Sequence, residues 1–276
     1  MKTLSQREIH KKYGGTIPEI AARLHVTNIG LLLEELKNLN YINKLNYIAY
    51  TKEPGLIGSL QVGYIVAKAL SLVINKPIIP INHLEGHFYS AFIEKEIVFP
   101  ALGLIVSGGH TQLVLYKSNF DYQILGDTLD DAVGEVYDKV ARKLDLGFPA
   151  QYSGIYKEKY KLPITHNELD FSFSGLKTKI INLINNDQMK KKIVDVHKYS
   201  TIFQNTVIDY LKNKMKLAIK KYKHNCLVLA GGVSANKGIR SMFLKLHKNV
   251  FLPKMEYTTD NAIMIARVAL EKIKNN

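Results

Sequence analysis

Tryptophan is absent from the 276-residue chain, and cysteine occurs once, at Cys226. A lone thiol cannot form a disulfide within the chain, and it excludes the cysteine-rich zinc sites. It lies in the apolar run Cys226-Leu227-Val228-Leu229-Ala230, where it reads as a buried structural thiol. No uninterrupted apolar run approaches the roughly 20 residues of a membrane-spanning helix. The opening Met1-Lys2-Thr3-Leu4-Ser5-Gln6-Arg7-Glu8 lacks the apolar core of a secretory signal, so a cytoplasmic protein with no membrane partner is expected. Proline (8) and glycine (18) are too few for collagen-like or low-complexity classes, and 46% hydrophobic with 22% charged residues indicates a folded, soluble chain. The length suits one large α/β unit or two lobes of ordinary size. Acidic residues are the scarce charge, 24 against 38 Lys and Arg, for a net charge of +14. That excess fits either a polyanionic partner such as nucleic acid or the lysine-rich composition of an AT-rich genome.

Against these absences stands Pro80-Ile81-Asn82-His83-Leu84-Glu85-Gly86-His87. A strand-like run, Pro77 to Ile81, ends in an Asn suited to cap a helix, and two histidines follow at a spacing of four. In a helix that spacing puts both imidazoles on one face, where they can occupy adjacent vertices of one metal ion. Glu85 points to the far side and is not expected as a third ligand. By itself, H-x-x-x-H also describes two ordinary core or surface histidines.

Elsewhere, helices are predicted from Pro18 to Leu24, continuing over Thr27 to Leu39, and from Gly58 to Ile74; a short strand is predicted over Tyr47 to Thr51. The small residues of the Gly58–Ile74 helix make it a candidate lobe or subunit contact, or simple core. Ala101 to Val106 reads as a buried strand running into Ser107-Gly108-Gly109-His110-Thr111 and a second strand, Gln112 to Tyr116. A Gly-Gly turn at a strand end can present amide N–H groups to phosphate oxygens, or can be a mere hairpin. The pattern recurs at Cys226 to Ala230, Gly231-Gly232-Val233-Ser234-Ala235-Asn236 and a helix over Lys237 to Lys245; there the helix dipole would reinforce an anion site. Two such units suggest a nucleotide cleft. Between them, Asp130 to Arg142 reads as a helix with an acidic start, with Asp138 placed for a ribose, a metal-bound water or an ion pair with Arg142. Asp170 to Thr178, with alternating Phe and Ser, reads as a strand with one polar face leading to a helix. In Lys212 to Lys223 an apolar stripe of Tyr210, Leu211, Met215, Leu217, Ala218 and Tyr222 opposes a wet lysine face. Lys190-Lys191-Lys192 is a second basic cluster. A final helix, Ala262 to Ile273, follows Asp260, a possible cap.

Taken in order, His83-Leu84-Glu85-Gly86-His87, Ser107-Gly108-Gly109-His110-Thr111, Phe171-Ser172-Phe173-Ser174-Gly175-Leu176-Lys177-Thr178, Gly231 to Asn236 and Thr259-Asp260-Asn261 closely resemble the TsaD family (also Gcp, or Kae/Qri proteins). The likeness runs from about Tyr13 to the C-terminus. It implies an actin/Hsp70/sugar-kinase-like α/β fold of two lobes, here 1–98 (with the 262–276 helix packing back on it) and 99–261. It also implies transfer of threonylcarbamoyl from threonylcarbamoyl-AMP to N6 of adenosine 37 in ANN-decoding tRNAs. His83, His87 and Asp260 would hold one divalent metal, Fe2+ or Zn2+. Ile105, Val106, Ser107, Gly108 and Gly109 would line the adenylate, with Asp138 on its ribose and Asn236 near the nucleotide. Expected partners are tRNA with a TsaB-like paralogue and a TsaE-like ATPase, or KEOPS-type subunits.

Three positions depart from the family pattern. The family's first strand and turn, resembling G-I-E-T-S-C-D-E-T, has no counterpart, which predicts a first lobe truncated at its N-terminus. Phe148-Pro149-Ala150-Gln151-Tyr152 stands where the family resembles Y-P-G-G-P, so Gln151 replaces a glycine beside the adenylate. Lys52 and Glu53 replace small residues before Pro54. These motivate an alternative: a catalytically inactive member serving as a binding or scaffold subunit. A metallopeptidase is disfavoured because Glu85 is not adjacent to the first His as in H-E-x-x-H. A small-molecule kinase would need a phosphate hairpin and a catalytic acid that the sequence does not offer.

Overall fold

The computed structural model describes residues 1–13, 15–146, 158–162 and 165–275. In chain order the helices and strands are α1 (Arg7–Lys12), α2 (Pro18–Asn38), β1 (Ile48–Glu53), α3 (Ile57–Ile74), β2 (Ile78–Asn82), α4 (His83–Ser90), β3 (Ala101–Val106), β4 (Thr111–Ser118), β5 (Asp121–Asp127), α5 (Val133–Lys143), α6 (Ser174–Met189), α7 (Val196–Lys221), β6 (Cys226–Ala230), α8 (Lys237–Leu244), β7 (Val250–Phe251) and α9 (Ala262–Asn275). The chain divides into two compact units, Met1–Tyr89 with Asp260–Asn276, and Ser90–Thr259. The fold is α/β.

In the first unit β1 and β2 pair in parallel, Ile48 opposite Ile78 through Thr51 opposite Ile81, and α3 is the crossover between them. Pro18 opens α2, where its missing N–H is no loss. A left-handed Asn75 (φ 52°) ends α3 and returns its N–H to Ser71. By length and composition α3 is apolar enough to cross a bilayer, with a mean hydropathy of 1.7. Its connectivity forbids this: a spanning helix would leave β1 and β2 on opposite sides of the membrane, where they could not hydrogen-bond to each other.

The second unit holds a five-stranded sheet in the order β5-β4-β3-β6-β7. Central β3 runs antiparallel to β4 and parallel to β6, and all six of its residues are buried. Strands covered on both faces read as continuous apolar runs, as Ala101–Val106 and Cys226–Ala230 do. Cys226 is fully buried, and burial pushes its thiol up to about 12, which leaves it inert at neutral pH. The core joins β3, β4 and β6 to α5, α6 and α7 through residues such as Leu104, Leu229, Val136, Ile180 and Phe203.

Two local expectations are corrected. Phe171-Ser172-Phe173-Ser174 is not a strand: Phe171 makes one bridge with Thr128, and Ser174 already starts α6. The alternation is real, since Phe171 and Phe173 are buried and stack at 6.1 Å, but the serine face meets carboxylates instead of a neighbouring strand. Asp130 accepts from Ser172 Oγ (2.6 Å) and from the N–H groups of Phe173 (2.8 Å) and Ser174 (3.3 Å). The lysine face of α7 is not uniformly wet either. Lys214 is buried, and its ammonium donates to Thr165 Oγ1 at 3.1 Å and to the Glu168 carbonyl at 2.6 Å.

Candidate metal centre and glycine turns

His83 and His87 lie one turn apart on α4, which begins where β2 ends. Asn82 Oδ1 accepts the N–H groups of Leu84 at 2.8 Å and Glu85 at 3.3 Å, fixing that start. The two rings meet edge to face with centroids 4.6 Å apart. Both Nε2 atoms lie 3.3 Å from Oδ1 of Asp260. Asn261, not Asp260, caps α9, accepting the Met264 N–H at 2.9 Å. His87 is buried, whereas the Asp260 side chain is 76% exposed, so the cluster is reachable from solvent on its carboxylate side.

One donor atom from each of the three residues lies within 4.8 Å of the other two. A tetrahedral ion with bonds of about 2.0–2.1 Å has ligand-to-ligand edges of about 3.3 Å. The two measured N···O separations of 3.3 Å match that edge, and two imidazoles with a carboxylate form a donor set suited to zinc or ferrous iron. The residues present therefore fit a divalent metal. Desolvation by surrounding protein acts to raise the Asp260 carboxyl, but hydrogen bonding and charge from His83 and His87 outweigh it. They hold the carboxyl well below the usual range, in the ionised form a metal ligand requires. Glu85 faces away from this cluster. Its Oε2 lies 3.7 Å from Lys272 Nζ on α9, and burial raises its carboxyl while Lys272 opposes the rise.

In the second unit the two Gly-Gly turns leave the carboxyl ends of adjacent parallel strands, β3 and β6, and so lie side by side. Gly231 adopts φ +90°, and a Cβ there would sit 2.3 Å from the Val106 carbonyl oxygen. Gly108 and Gly109 have open space around them and no left-handed φ. What glycine provides there is an uncovered backbone, not a special conformation. Ser107 closes the turn by donating its N–H to the His110 carbonyl (2.8 Å), and its Oγ accepts the His110 N–H (3.1 Å).

The start of α5 presses on the same turn. Gly134 donates to the Ser107 carbonyl at 3.2 Å, and Val133 donates to Thr111 Oγ1 at 2.9 Å. Asp138, half-buried, lies one helical turn after Gly134 and hence on the same side of α5. Ile105 and Val106 bury their side chains in the core, which leaves only backbone to face a ligand. Asn236 is buried as the cap of α8: its Oδ1 accepts from Gly238 (2.9 Å) and Ile239 (3.1 Å), and its amide donates to Gln204 (3.1 Å). The Gly238 and Ile239 amides are thus already occupied, and a short 3-10 turn that begins at Gly232 lies between Gly231 and α8. The anion site predicted at this helix start thus has two of its amides committed to the cap. Gln151 lies outside the described residues.

Sequence reasoning missed Gly134. Its signal was available: glycine in the first turn of a helix is a poor helix former and calls for a close-approach explanation.

The sequence profile described as TsaD: tRNA N6-adenosine threonylcarbamoyltransferase matches residues 1–267. The chain belongs to the TsaD family. Relatives named tRNA N6-adenosine threonylcarbamoyltransferase include one from Metamycoplasma arthritidis (strain 158L3-1), 61% identical over 285 aligned positions that cover 100% of this chain and 92% of the relative. Another, from Mycoplasmopsis synoviae (strain 53), is 52% identical with the same two coverages, 100% and 92%. Among solved structures, full-length HypF in its phosphate- and nucleotide-bound form superposes with a TM-score of 0.64 at 14% identity, covering 87% of this chain and 41% of that one. HypF from T. kodakarensis gives 0.60 at 13% identity, over 83% of this chain and 41% of that one. At these identities the HypF likeness speaks to the fold, while the TsaD family rests on the sequence matches.

Proposed function

We propose that this chain transfers the threonylcarbamoyl group of threonylcarbamoyl-AMP to N6 of adenosine 37 in ANN-decoding tRNAs. The observation that carries the reading is full-length membership of the TsaD family together with the His83, His87 and Asp260 donor set. In the reaction the N6 amine lone pair attacks the carbamoyl carbonyl and forms the new C–N bond. The bond from that carbon to the phosphate oxygen breaks, AMP leaves as the anion, and the surplus N6 proton passes to solvent. The donor is a mixed anhydride with a good leaving group, so no activated serine or cysteine is required. The protein's task is to position the amine and hold the adenylate. Ser107, Gly108 and Gly109 offer backbone to the phosphate, with Ile105 and Val106 forming the wall behind them. Asp138 is assigned to the ribose and Asn236 to supporting the turn beside the nucleotide. His83, His87 and Asp260 would hold Fe2+ or Zn2+, which when bound supplies a Lewis acid able to polarise an oxygen.

The fold class that fits this reading is the actin/Hsp70/sugar-kinase one, and the compartment is the cytoplasm. The net charge of +14 favours tRNA as the polyanionic partner. Helix α3 exposes Ile57, Ile65, Leu72 and Val73, a face suited to a TsaB-like paralogue. A TsaE-like ATPase would complete the set. The test is reconstitution: the metal-loaded chain, its partners, threonylcarbamoyl-AMP and an ANN-decoding tRNA, followed by nucleoside mass spectrometry. Threonylcarbamoyladenosine is expected, and its absence with folded, metal-loaded protein and all partners present would overturn the proposal.

A further inference from the structure

Two of the three donors sit on α4, a helix of only eight residues, and the third precedes α9. Such a set keeps its spacing only if α4 is held on α9 to within about 0.5 Å. Contacts between them fall at three levels of α9. At its start Asp260 meets His83 and His87. About one turn in, Met264 and Ile265 lie under Gly86, where an added Cβ would sit 3.0 Å from Ile265 Cδ1 and 3.3 Å from Met264 Cγ. Near its end Lys272 Nζ lies 3.7 Å from Glu85 Oε2 and donates to the Pro80 carbonyl at 3.3 Å. Pro80 belongs to β2, two residues before the cap of α4, so one ammonium grips both the helix and the strand that feeds it.

Glu85 lies between the two ligating histidines in sequence and on the opposite side of α4. Its side chain is 11% exposed, and that of Lys272 is 31% exposed. A carboxylate so placed depends on its cation, and removal of Lys272 leaves a poorly solvated charge that must move, whereas removal of Glu85 releases the ammonium from α4. Glu53 also lies near Glu85, and its repulsion adds to that dependence. We propose that Glu85 and Lys272 are positioning residues that set α4 on α9 and so determine the metal affinity of His83, His87 and Asp260. The proposal rests on the metal reading above.

The experiment measures Co2+ affinity of the full chain, stripped of metal, by ligand-field absorption in wild type, Glu85→Gln, Lys272→Met and the double variant. Each single change is expected to weaken Co2+ binding about 10–100-fold, the cost usual for groups that orient metal ligands. The double variant is expected to be no weaker than the worse single, because the pair acts as a unit. Lys272→Arg, which keeps the charge and reach, should stay within about threefold of wild type. Affinities within about twofold of wild type in both single variants would overturn the proposal. If the single variants do not fold, Glu85→Asp, which retracts the carboxylate by one methylene, decides: weakening of threefold or more supports the proposal, and wild-type affinity overturns it. A wild-type chain that binds no Co2+ would sink the metal reading and this proposal together, whereas equal affinity across the variants sinks only the proposal.

Discussion

Asn261 caps the last helix, leaving its neighbour Asp260 to face the two histidines. Asn261 Oδ1 accepts the Met264 N–H at 2.9 Å, and Asp260 Oδ1 lies 3.3 Å from both imidazoles. The two residues should therefore fail in different assays. Asn261→Ala is expected to cost about 1 kcal/mol of stability by loss of the cap, read as a lower urea midpoint. Asp260→Ala should abolish metal retention on dialysis. Retention of metal by Asp260→Ala would remove it from the donor set.

Asp131 ties α6 to α5 through two ammonium groups. Its carboxylate takes Lys139 Nζ at 2.7 Å and Lys177 Nζ at 2.5 Å, and its side chain is 15% exposed. Burial acts to raise this carboxyl, yet the two lysines outweigh it and hold it at about 2, against an ordinary value of 3.8. A carboxyl depressed on folding contributes stability above its unfolded value, and the contribution is lost as pH falls toward the folded one. Asp131→Asn should thus lower the unfolding free energy by about 1–2 kcal/mol at pH 7, and the gap between variant and wild type should close between pH 4 and about 2. A gap unchanged at pH 2.5 would refute this account.

The histidine pair was legible because it depends on local rules, an Asn cap and a spacing of four; position alone marked Asp260 as a cap, and only the family resemblance put it with the histidines. The central strands were legible because both faces are covered and their residues are uniformly apolar. Other features depend on long-range partners. The Phe-Ser alternation at 171–174 correctly says that one face is buried, but only the carboxylates of Asp130 and Asp131, some 40 residues away in sequence, decide that no strand partner is needed. Lys214 occupies a stripe position, four after Tyr210 and three after Leu211. Spacing therefore marked the site as buried, and lysine was read as exposed because the strap carrying Thr165 and Glu168 is invisible to periodicity. Strands β5 and β7 went unread: the outer half of β5 is exposed, and β7 is two residues long.

Gly109 and Gly134 separate ligand access from packing. A Cβ at Gly109 meets nothing within 4 Å, whereas one at Gly134 would lie 2.4 Å from the Ser107 carbonyl oxygen and 2.8 Å from Gly108 Cα. Gly134→Ala must push the turn away from α5, with an expected loss of about 1–3 kcal/mol and of adenylate binding. Gly109→Ala should keep stability within about 0.5 kcal/mol and still weaken binding of a non-hydrolysable threonylcarbamoyl-AMP analogue tenfold or more. Calorimetric titration against that analogue checks both. Wild-type affinity in Gly109→Ala would mean that the exposed glycines do not face the ligand.

Helix α3 is the crossover of β1 and β2, so the side carrying buried Ala67 is committed inward, and near its start α3 also meets α2, where a Cβ on Gly58 would lie 3.0 Å from Ala22 Cβ. Its outer side carries Ile57, Ile65 and Leu72 at intervals of eight and seven residues, one stripe of an α-helix, with exposures of 74%, 62% and 72%. Gln61 and Lys68 fall on the same stripe, which suits a surface that meets water before it meets a protein. Ile65→Glu combined with Leu72→Glu removes no core contact, so the unfolding free energy should stay within about 0.5 kcal/mol of wild type. Two carboxylates facing an apolar partner surface would be desolvated without a counter-charge, so association with the proposed TsaB-like paralogue, measured by light scattering on a sizing column, should fall at least a hundredfold. A complex that survives both glutamates would place the partner on another face and leave the apolar outer side of α3 without a role.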